Sequence, residues 1–261
     1  FLLDDPVSKY IPEYANPEVL DKYDASDSSY TTVPARREIT IRDLLTHTSG
    51  IEYAGIGSDV IKAIYAKGGI PGEFGSDRFI LGDKMKALGR MPLLHHPGEK
   101  WTYGMNIDVL GYLVEVVSGE TLDRYFHNHI FEPLGMKDTY FYLPADKISR
   151  LVRVNTEDEN HRVTPMDPSL FSYPMMKGTY YCGGAGLSST TRDYAAFLQM
   201  LLNKGQYNGK RLLSRRSVDL ITSNQIGDLN LNNNKFGLGF EITTERGQAE
   251  LGISEGSFSW G

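Results

Sequence analysis

The residues best suited to chemistry lie around Tyr103, in the stretch WTYGMNIDVLGYLVEVVSG of residues 101–119. Tyr103 stands just before an expected helix, and Asp108 follows five residues later. A tyrosine in such a position can accept a proton as a general base and return it as a general acid. The chain has 16 tyrosines, however, so spacing by itself favours a core aromatic. Both interpretations of Tyr103 stay open at this point.

Other candidate sites are weaker. Ser254 lies in GISEG, a match to the nucleophile elbow, but the required Asp and His do not follow it, so we interpret the match as chance. The six histidines include no H-E-x-x-H and no pair four residues apart, so no metal site is predicted. Cys182 has no basic neighbour to activate it and is interpreted as a small buried hydrophobe.

Two further features have mainly structural interpretations. His47, in LLTHTSG, is placed near the end of a predicted helix and interpreted as a structural histidine. The glycine-rich segment YCGGAGLSST, residues 181–190, precedes a helix N-terminus, where an anion could bind. It lacks a preceding strand and a P-loop lysine, so we interpret its glycines as tight backbone packing or as the wall of another pocket.

Composition limits the class of protein. The chain has 261 residues, enough for one large domain or two interleaved subdomains. Its net charge of −6 argues against nucleic acid or an anionic membrane surface as partner. No apolar run approaches the roughly 20 residues that span a bilayer. A single cysteine excludes an internal disulfide.

The elements that must position Tyr103 are predicted mainly as helices. Their caps and apolar periodicity give four of them: residues 41–49, from a Thr40/Asp43 capping box to Gly50; residues 105/106 to 118; residues 191–204, capped by Thr190 with Asp193; and residues 215–221, opened by Ser214. For the third helix the predicted buried stripe is Tyr194, Phe197, Leu198, Leu201 and Leu202.

Strand patterns are concentrated late in the chain. Residues 236–242 and 257–260 are predicted as strands, with a turn around Arg246-Gly247 between them, and Asn208-Gly209 is predicted as another turn. The middle segment, residues 142–181, is rich in loops and proline. Such long irregular segments often form the wall or lid of a site.

Several stretches together resemble the serine β-lactamase and penicillin-binding-protein superfamily, in its class C β-lactamase-like esterase branch. They come in family order over nearly the whole chain: LDDPVSKYIPEY (3–14), EITIRDLLTHTSGI (38–51), PGEKWTYGMNIDVLGYLVEVVSG (97–119), FEPLGMKDT (131–139), GGAGLSSTTRDYAAFLQMLL (183–202) and SFSWG (257–261). The resemblance implies an α+β fold in which a helical domain packs on an antiparallel sheet with flanking helices.

The resemblance also implies a serine hydrolase that acts through an acyl-enzyme on esters or related small acyl substrates, without metal or cofactor. A Ser-x-x-Lys motif supplies the nucleophile, and Tyr103 matches the tyrosine that shares proton transfer with the lysine. Asp108 matches an acid that orders the hydrogen bonds of the site. The family is commonly exported, so a periplasmic or secreted location is implied by analogy.

Departures from the β-lactamase pattern favour an esterase. The residue two after the tyrosine is Met105 instead of Asn, and Asn106 stands one place late as a candidate for substrate binding. The last motif has Trp260-Gly261, expected to line the substrate, where β-lactamases have a cation for the β-lactam carboxylate. A β-lactamase or D-amino-acid peptidase remains the alternative, and a non-catalytic penicillin-fold binding module is the alternative from another class.

The sequence contains no Ser-x-x-Lys motif. In the resembling family this motif precedes LDDPVSKY by roughly 20 residues, so we expect the nucleophile upstream of Phe1. We therefore expect residues 1–261 to be one catalytic domain truncated at both ends. Residues 1–225 would be its mainly helical and loop region, and residues 226–261 the late strands of an incomplete sheet. A degenerate homologue that binds without turnover is the competing explanation.

Overall fold

A computed structural model describes residues 1–72, 74–167 and 173–260. The α-helices are α1 (Ile41–Leu45), α2 (Asp59–Lys67), α3 (Leu81–Leu88), α4 (Asn106–Ser118), α5 (Leu122–Phe126), α6 (Glu132–Leu134), α7 (Thr191–Leu202), α8 (Arg215–Ile221) and α9 (Glu245–Leu251). The strands are β1 (Glu18–Asp24), β2 (Ser29–Pro34), β3 (Asn155–Glu157), β4 (Val163–Pro165), β5 (Gln206–Tyr207), β6 (Lys210–Arg211), β7 (Lys235–Phe236), β8 (Glu241–Ile242) and β9 (Phe258–Ser259). Turns of 3-10 helix cover Val7–Lys9, Pro12–Tyr14 and Ile148–Arg150, and a π-helical turn, His127–Phe131, joins α5 to α6.

Helix α4 follows Tyr103 directly and is the longest helix of the described residues. It has the predicted bounds, and Gly119 ends it in the left-handed conformation with φ 74°. Val109 and Leu113 are buried, and the helix packs against α1, α3 and α5. The apolar periodicity read from the sequence therefore gives the helix and most of its packed face, although Val117, near the end of the helix, is exposed.

Two apolar clusters hold the described residues together. The larger one surrounds α1 to α4 and includes the N-terminal turns, where Tyr14 is buried and its hydroxyl donates to the Met85 carbonyl oxygen at 2.9 Å. The smaller one joins α6, α7 and α8 through residues such as Leu134, Met200 and Val218. Helix α4 belongs to the larger cluster, so the start of this helix is anchored on a packed core.

Helix α1 begins as predicted and ends earlier. Thr40 Oγ1 accepts from the Asp43 amide at 3.2 Å, and the Asp43 carboxylate accepts from the Thr40 amide at 2.8 Å, which confirms the capping box. The helix ends at Leu45, so the prediction that it continues to Ser49 was wrong. His47 lies beyond it with φ 55°. Its carbonyl oxygen accepts from the Thr102 amide at 2.8 Å, so pairing with the segment before α4 replaces the last helical turn.

Helix α7 has the predicted start, but the prediction of its buried face was partly wrong. Thr190 caps it as expected. The Asp193 carboxylate instead accepts from the Asp138 amide at 2.7 Å and the Thr139 hydroxyl at 3.0 Å, which turns the buried face of the helix toward that loop. Tyr194 and Leu202 are consequently exposed, while the buried side chains are Asp193, Ala196, Met200 and Leu201.

The late strands are shorter than predicted. Residues 236–242 are not one strand: β7 and β8 form an antiparallel hairpin with Gly239, at φ 87°, in its turn. The expected turn at Arg246-Gly247 lies within α9, which Thr244 caps by accepting from the Gly247 amide at 3.2 Å. Strand β9 then pairs with β8, and the Asn208-Gly209 turn connects β5 to β6 as predicted.

The first hairpin, β1 with β2, was not predicted. Most of its side chains are exposed, and Val19 is the buried residue of β1. Helices and small antiparallel sheets together confirm the expected α+β class. In the described part of the chain, no helix is both long and apolar enough to cross a membrane.

Gly104→Ala is expected to lower the free energy of unfolding by about 2 kcal/mol, because the added Cβ would lie 2.0 Å from the Ile51 carbonyl oxygen. Urea denaturation measures the change. Gly119→Ala is the control: it imposes a side chain on a left-handed residue with open space around it and should cost about 1 kcal/mol. Equal losses in the two variants would contradict a tight approach at Gly104.

Candidate active site

Tyr103 lies in an aromatic cluster, which we define as His47, Tyr53, Trp101, Tyr103, Phe236 and Trp260. The ring centroid of Tyr103 is 4.9 Å from that of Tyr53, 5.1 Å from that of His47 and 5.2 Å from that of Trp260. The cluster joins the segment after α1, the segment before α4, strand β7 and the end of β9. Tyr103 is therefore half-buried among rings from four parts of the chain.

The backbone before α4 runs closely along residues 47–52. The Met105 amide donates to the Glu52 carbonyl oxygen at 3.5 Å, and the Thr102 amide donates to that of His47. Between them, Gly104 approaches Ile51 so closely that a Cβ would not fit. A glycine after the tyrosine is thus required by this approach, which sets the direction of the Tyr103 side chain.

The side chain of Asn106 forms a hydrogen bond with His47, a member of the aromatic cluster. Its Nδ2 donates to His47 Nδ1 at 3.0 Å, while its Oδ1 accepts from the Ser49 hydroxyl. Because an amide nitrogen only donates, the proton of the neutral imidazole lies on Nε2. Asn106 has no exposed surface. The predicted substrate-binding residue is thus found inside the supporting network.

His47 is neutral in this structure. Burial lowers its pKa to about 3, because a charged imidazolium would lose its hydration among aromatic rings. Its Nε2 has no hydrogen-bond partner in the described part of the chain. The prediction of a helical position for His47 was wrong, although the side chain does support the surrounding structure.

Asp108, on the first turn of α4, is fully buried. Its Oδ1 accepts from the Gly184 amide at 3.3 Å, and Oδ2 has no partner within residues 1–72, 74–167 and 173–260. Burial raises the pKa of Asp108, and hydrogen bonds from the Cys182 thiol and the Gly184 and Gly183 amides oppose this only in part. The structure therefore favours the uncharged acid.

The glycine-rich segment packs tightly on α4, as the sequence predicted. A Cβ on Gly183 would lie 2.5 Å from the Ile107 carbonyl oxygen, and one on Gly184 would lie 2.9 Å from Asp108 Oδ2. Cys182 is buried there, and burial raises the pKa of its thiol, which confirms its interpretation as a small hydrophobe.

Two cavities flank Tyr103. The larger, of about 390 Å³, follows the surface of α4 and is lined by residues that include His47, Tyr103, Gly183, Gly184 and Trp260. The smaller, of about 120 Å³, lies toward Tyr53 and Asp108. Among the described residues, no lysine or arginine lines either cavity.

The structure brings together some of the predicted site residues. Tyr103 and Trp260 line the larger cavity, Tyr103 and Asp108 line the smaller one, and Gly261 lies outside the described residues. A cavity of about 830 Å³ lies between α5, residues 135–145 and Tyr181, and no predicted site residue lines it. Tyr53 was missed, because it is distant from Tyr103 in the sequence and no motif marks it.

Comparison with known proteins identifies the family. The family model Beta-lactamase matches residues 1–261. The chain belongs to the β-lactamase family. This confirms the resemblance read from the sequence segments.

Relatives of this β-lactamase-family chain include enzymes of acyl chemistry. Protein Rv1367c of Mycobacterium tuberculosis is 37% identical over 227 residues, which cover 87% of this chain and 54% of that protein. Lovastatin esterase of Penicillium rubens is 31% identical over 237 residues, which cover 86% of this chain and 54% of the esterase. The chain thus spans about half the length of the curated relatives it matches.

Solved structures share the fold. EstCE1, described as a hydrolase with promiscuous acyltransferase activity, has a TM-score of 0.77 at 24% identity, covering 98% of this chain and 66% of that one. Simvastatin synthase LovD of Aspergillus terreus has a TM-score of 0.72 at 26% identity, covering 92% of this chain and 62% of that one. The β-lactamase/transpeptidase-like fold expected from the sequence is confirmed.

The Asp108→Asn variant is expected to be more stable than wild type at neutral pH, with a higher free energy of unfolding. The reason is that the substitution removes the cost of burying a carboxylate. Burial raises the pKa of Asp108 in the folded state above its value in the unfolded state. The contribution of Asp108 to folding stability is therefore fully present below the unfolded-state pKa and is lost as pH rises through the folded-state pKa. Urea denaturation from about pH 4 to pH 8 should show the advantage of the variant growing with pH.

Asp219→Asn is the control with the opposite sign. The hydrogen bond from Lys204 lowers the pKa of Asp219, so removing this carboxylate should destabilise the protein above the unfolded pKa, with the difference fading at acid pH. If the gain in stability of Asp108→Asn over wild type does not change with pH, the ionisation of the buried Asp108 is not the cause of that gain.

Proposed function

We propose that the protein is a serine hydrolase that acts through an acyl-enzyme on carboxylic esters or related small acyl substrates. The observation that carries the proposal is Tyr103, whose ring forms a wall common to both cavities, beside Trp260. A phenol at this position can reach a reacting group in either cavity. Membership of the β-lactamase family and the esterase among the relatives support the reaction class.

The nucleophile in this proposal is a serine upstream of Phe1, followed by a lysine one helical turn later. The apolar surface of α4 along the larger cavity, formed by Ile107, Leu110 and Val114, could receive such a helix. Residues 1–261 then belong to one catalytic domain. The lysine would supply the cation that the described residues around Tyr103 do not.

In the proposed reaction the serine oxygen attacks the acyl carbon, and its proton passes to the pair formed by the lysine and Tyr103. The same pair then protonates the leaving alkoxide, so the ester is cleaved and the acyl group remains on serine. Water attacks this acyl-enzyme in the second step, with the proton moving through the same groups. No metal or cofactor takes part in this scheme.

The other predicted residues receive distinct roles. Asp108, whose pKa burial raises, orders the start of α4 against Gly184, while Trp260 and Gly261 line the substrate. We propose that Asn106 positions His47 and does not touch the substrate, because its side chain has no exposed surface. This role of Asn106 differs from the substrate-binding role expected from the sequence.

An ester is favoured over a β-lactam by the charge of the site. A β-lactam carries a carboxylate that needs a cation or a strong donor, and no lysine or arginine of the described ranges lines either cavity. Trp260 offers the substrate an aromatic edge instead. A neutral acyl group therefore fits the site better than an anionic one.

Tyr103→Phe in the full-length polypeptide is expected to lower kcat/KM for p-nitrophenyl butyrate by about 10²–10⁴-fold, since the proton carrier is lost while the ring is kept. Steady-state kinetics with p-nitrophenyl butyrate and nitrocefin measure the effect. Tyr194→Phe, which removes a hydroxyl from an exposed tyrosine on α7, is the matched control and should retain full turnover.

The outcomes separate the alternatives. Unchanged ester turnover in a folded Tyr103→Phe protein would make Tyr103 a core aromatic and would refute the mechanism. Faster cleavage of nitrocefin than of esters would favour a β-lactamase. Absence of turnover on both substrates in wild type would favour a narrow peptidase or a binding module.

A further inference from the structure

The smaller cavity beside Tyr103 is a pocket with a mostly apolar lining that includes one buried acid, Asp108. Its inner end is formed by buried residues: Met105, Asp108, Tyr180 and Cys182. Its outer end reaches solvent at Ile56 and Phe74, which are 71% and 48% exposed. The cavity therefore leads from the surface to the first turn of α4.

Two glycines shape the entrance. A Cβ on Gly55 would lie 3.2 Å from the Gly72 carbonyl oxygen, and a Cβ on Gly72 would lie 3.2 Å from the Gly55 Cα. The backbones of the two loops thus approach each other closely, and among the described residues of the lining Ile56 and Phe74 are exposed large apolar side chains. Large apolar side chains left in water at the mouth of a cavity are typical of a binding site for an apolar group.

The position of Tyr103 indicates which group would bind. Its ring is a wall of this pocket and also of the larger cavity along α4. A group inside the pocket would therefore touch the residue proposed to carry the proton. In an ester that reacts beside Tyr103, such a group belongs to the substrate itself.

The pocket also limits the charge and size of that group. A carboxylate would have to leave water in a pocket that no lysine or arginine of the described residues lines, so no cation would offset its lost hydration. The volume is about 120 Å³. At roughly 30 Å³ for a group the size of water, this holds about four carbon atoms.

We infer that the pocket binds an uncharged alkyl group of about four carbons, which we assign to the acyl side of the ester, beyond the carbonyl. This inference rests on the proposed function. It makes Ala185, Ile56 and Phe74 determinants of substrate chain length, a role that is separate from the proton transfer of Tyr103. Ala185 lines the pocket and is itself exposed, so a larger side chain can be introduced there.

The test uses the full-length polypeptide and p-nitrophenyl esters from acetate to decanoate. Wild type should show its highest kcat/KM near pentanoate. Ala185→Leu should fill the pocket, move the optimum to acetate and lower kcat/KM for pentanoate by about ten-fold relative to acetate. Ile56→Ala, at the entrance, should weaken the preference for pentanoate over acetate. The control is Ala195→Leu on the exposed side of α7, which should keep the wild-type profile.

A binding measurement separates failure of the pocket from failure of the function. Saturation-transfer NMR with pentanamide, a neutral probe of the same chain, should detect binding to wild type that Ala185→Leu abolishes. Ester turnover whose chain-length profile is the same in both proteins would overturn the pocket and leave the hydrolase intact. If no ester is turned over, the proposed function fails. Loss of pentanamide binding in Ala185→Leu would then still support the pocket, and equal or no binding would overturn it.

Discussion

The side-chain amide of Asn106 joins the two segments that carry the site. It accepts from Ser49 and donates to His47, so the first turn of α4 is fixed to the chain that follows α1. A buried amide must satisfy both its oxygen and its nitrogen, and this restricts the two segments to one register. Tyr103 lies just before α4 on one of these segments, so its orientation follows from this contact and from the glycine beside it.

The buried polar atoms without a hydrogen-bond partner are concentrated around Tyr103 within the described structure. The buried side-chain atoms without a hydrogen-bond partner there are His47 Nε2, Trp101 Nε1 and Asp108 Oδ2. The first two belong to the aromatic cluster, and Asp108 shares a cavity with Tyr103. An unsatisfied buried polar atom costs about 1–3 kcal/mol, so this concentration favours a functional site over a packed core.

The electrostatics of the cluster fit acyl chemistry on neutral substrates. His47 is neutral because burial lowers its pKa, and the same burial raises the pKa of Asp108 toward the uncharged acid. The described walls of the two cavities carry no lysine or arginine. In the mechanism we propose, the charge therefore comes from the serine and lysine, and the residues of this chain supply shape, a phenol and an apolar surface.

Local sequence determined the helices whose ends carry capping residues and whose apolar residues recur with a period of about 3.6 residues. Helices α4 and α8 are examples. The family segments likewise gave the fold and the candidate Tyr103. Only the tertiary structure decided that α1 ends at Leu45, that residues 236–242 turn back as a hairpin, and that Tyr53 meets Tyr103. These features depend on backbone pairing and side-chain burial between segments far apart in the chain, and periodicity within one segment contains no information about such partners.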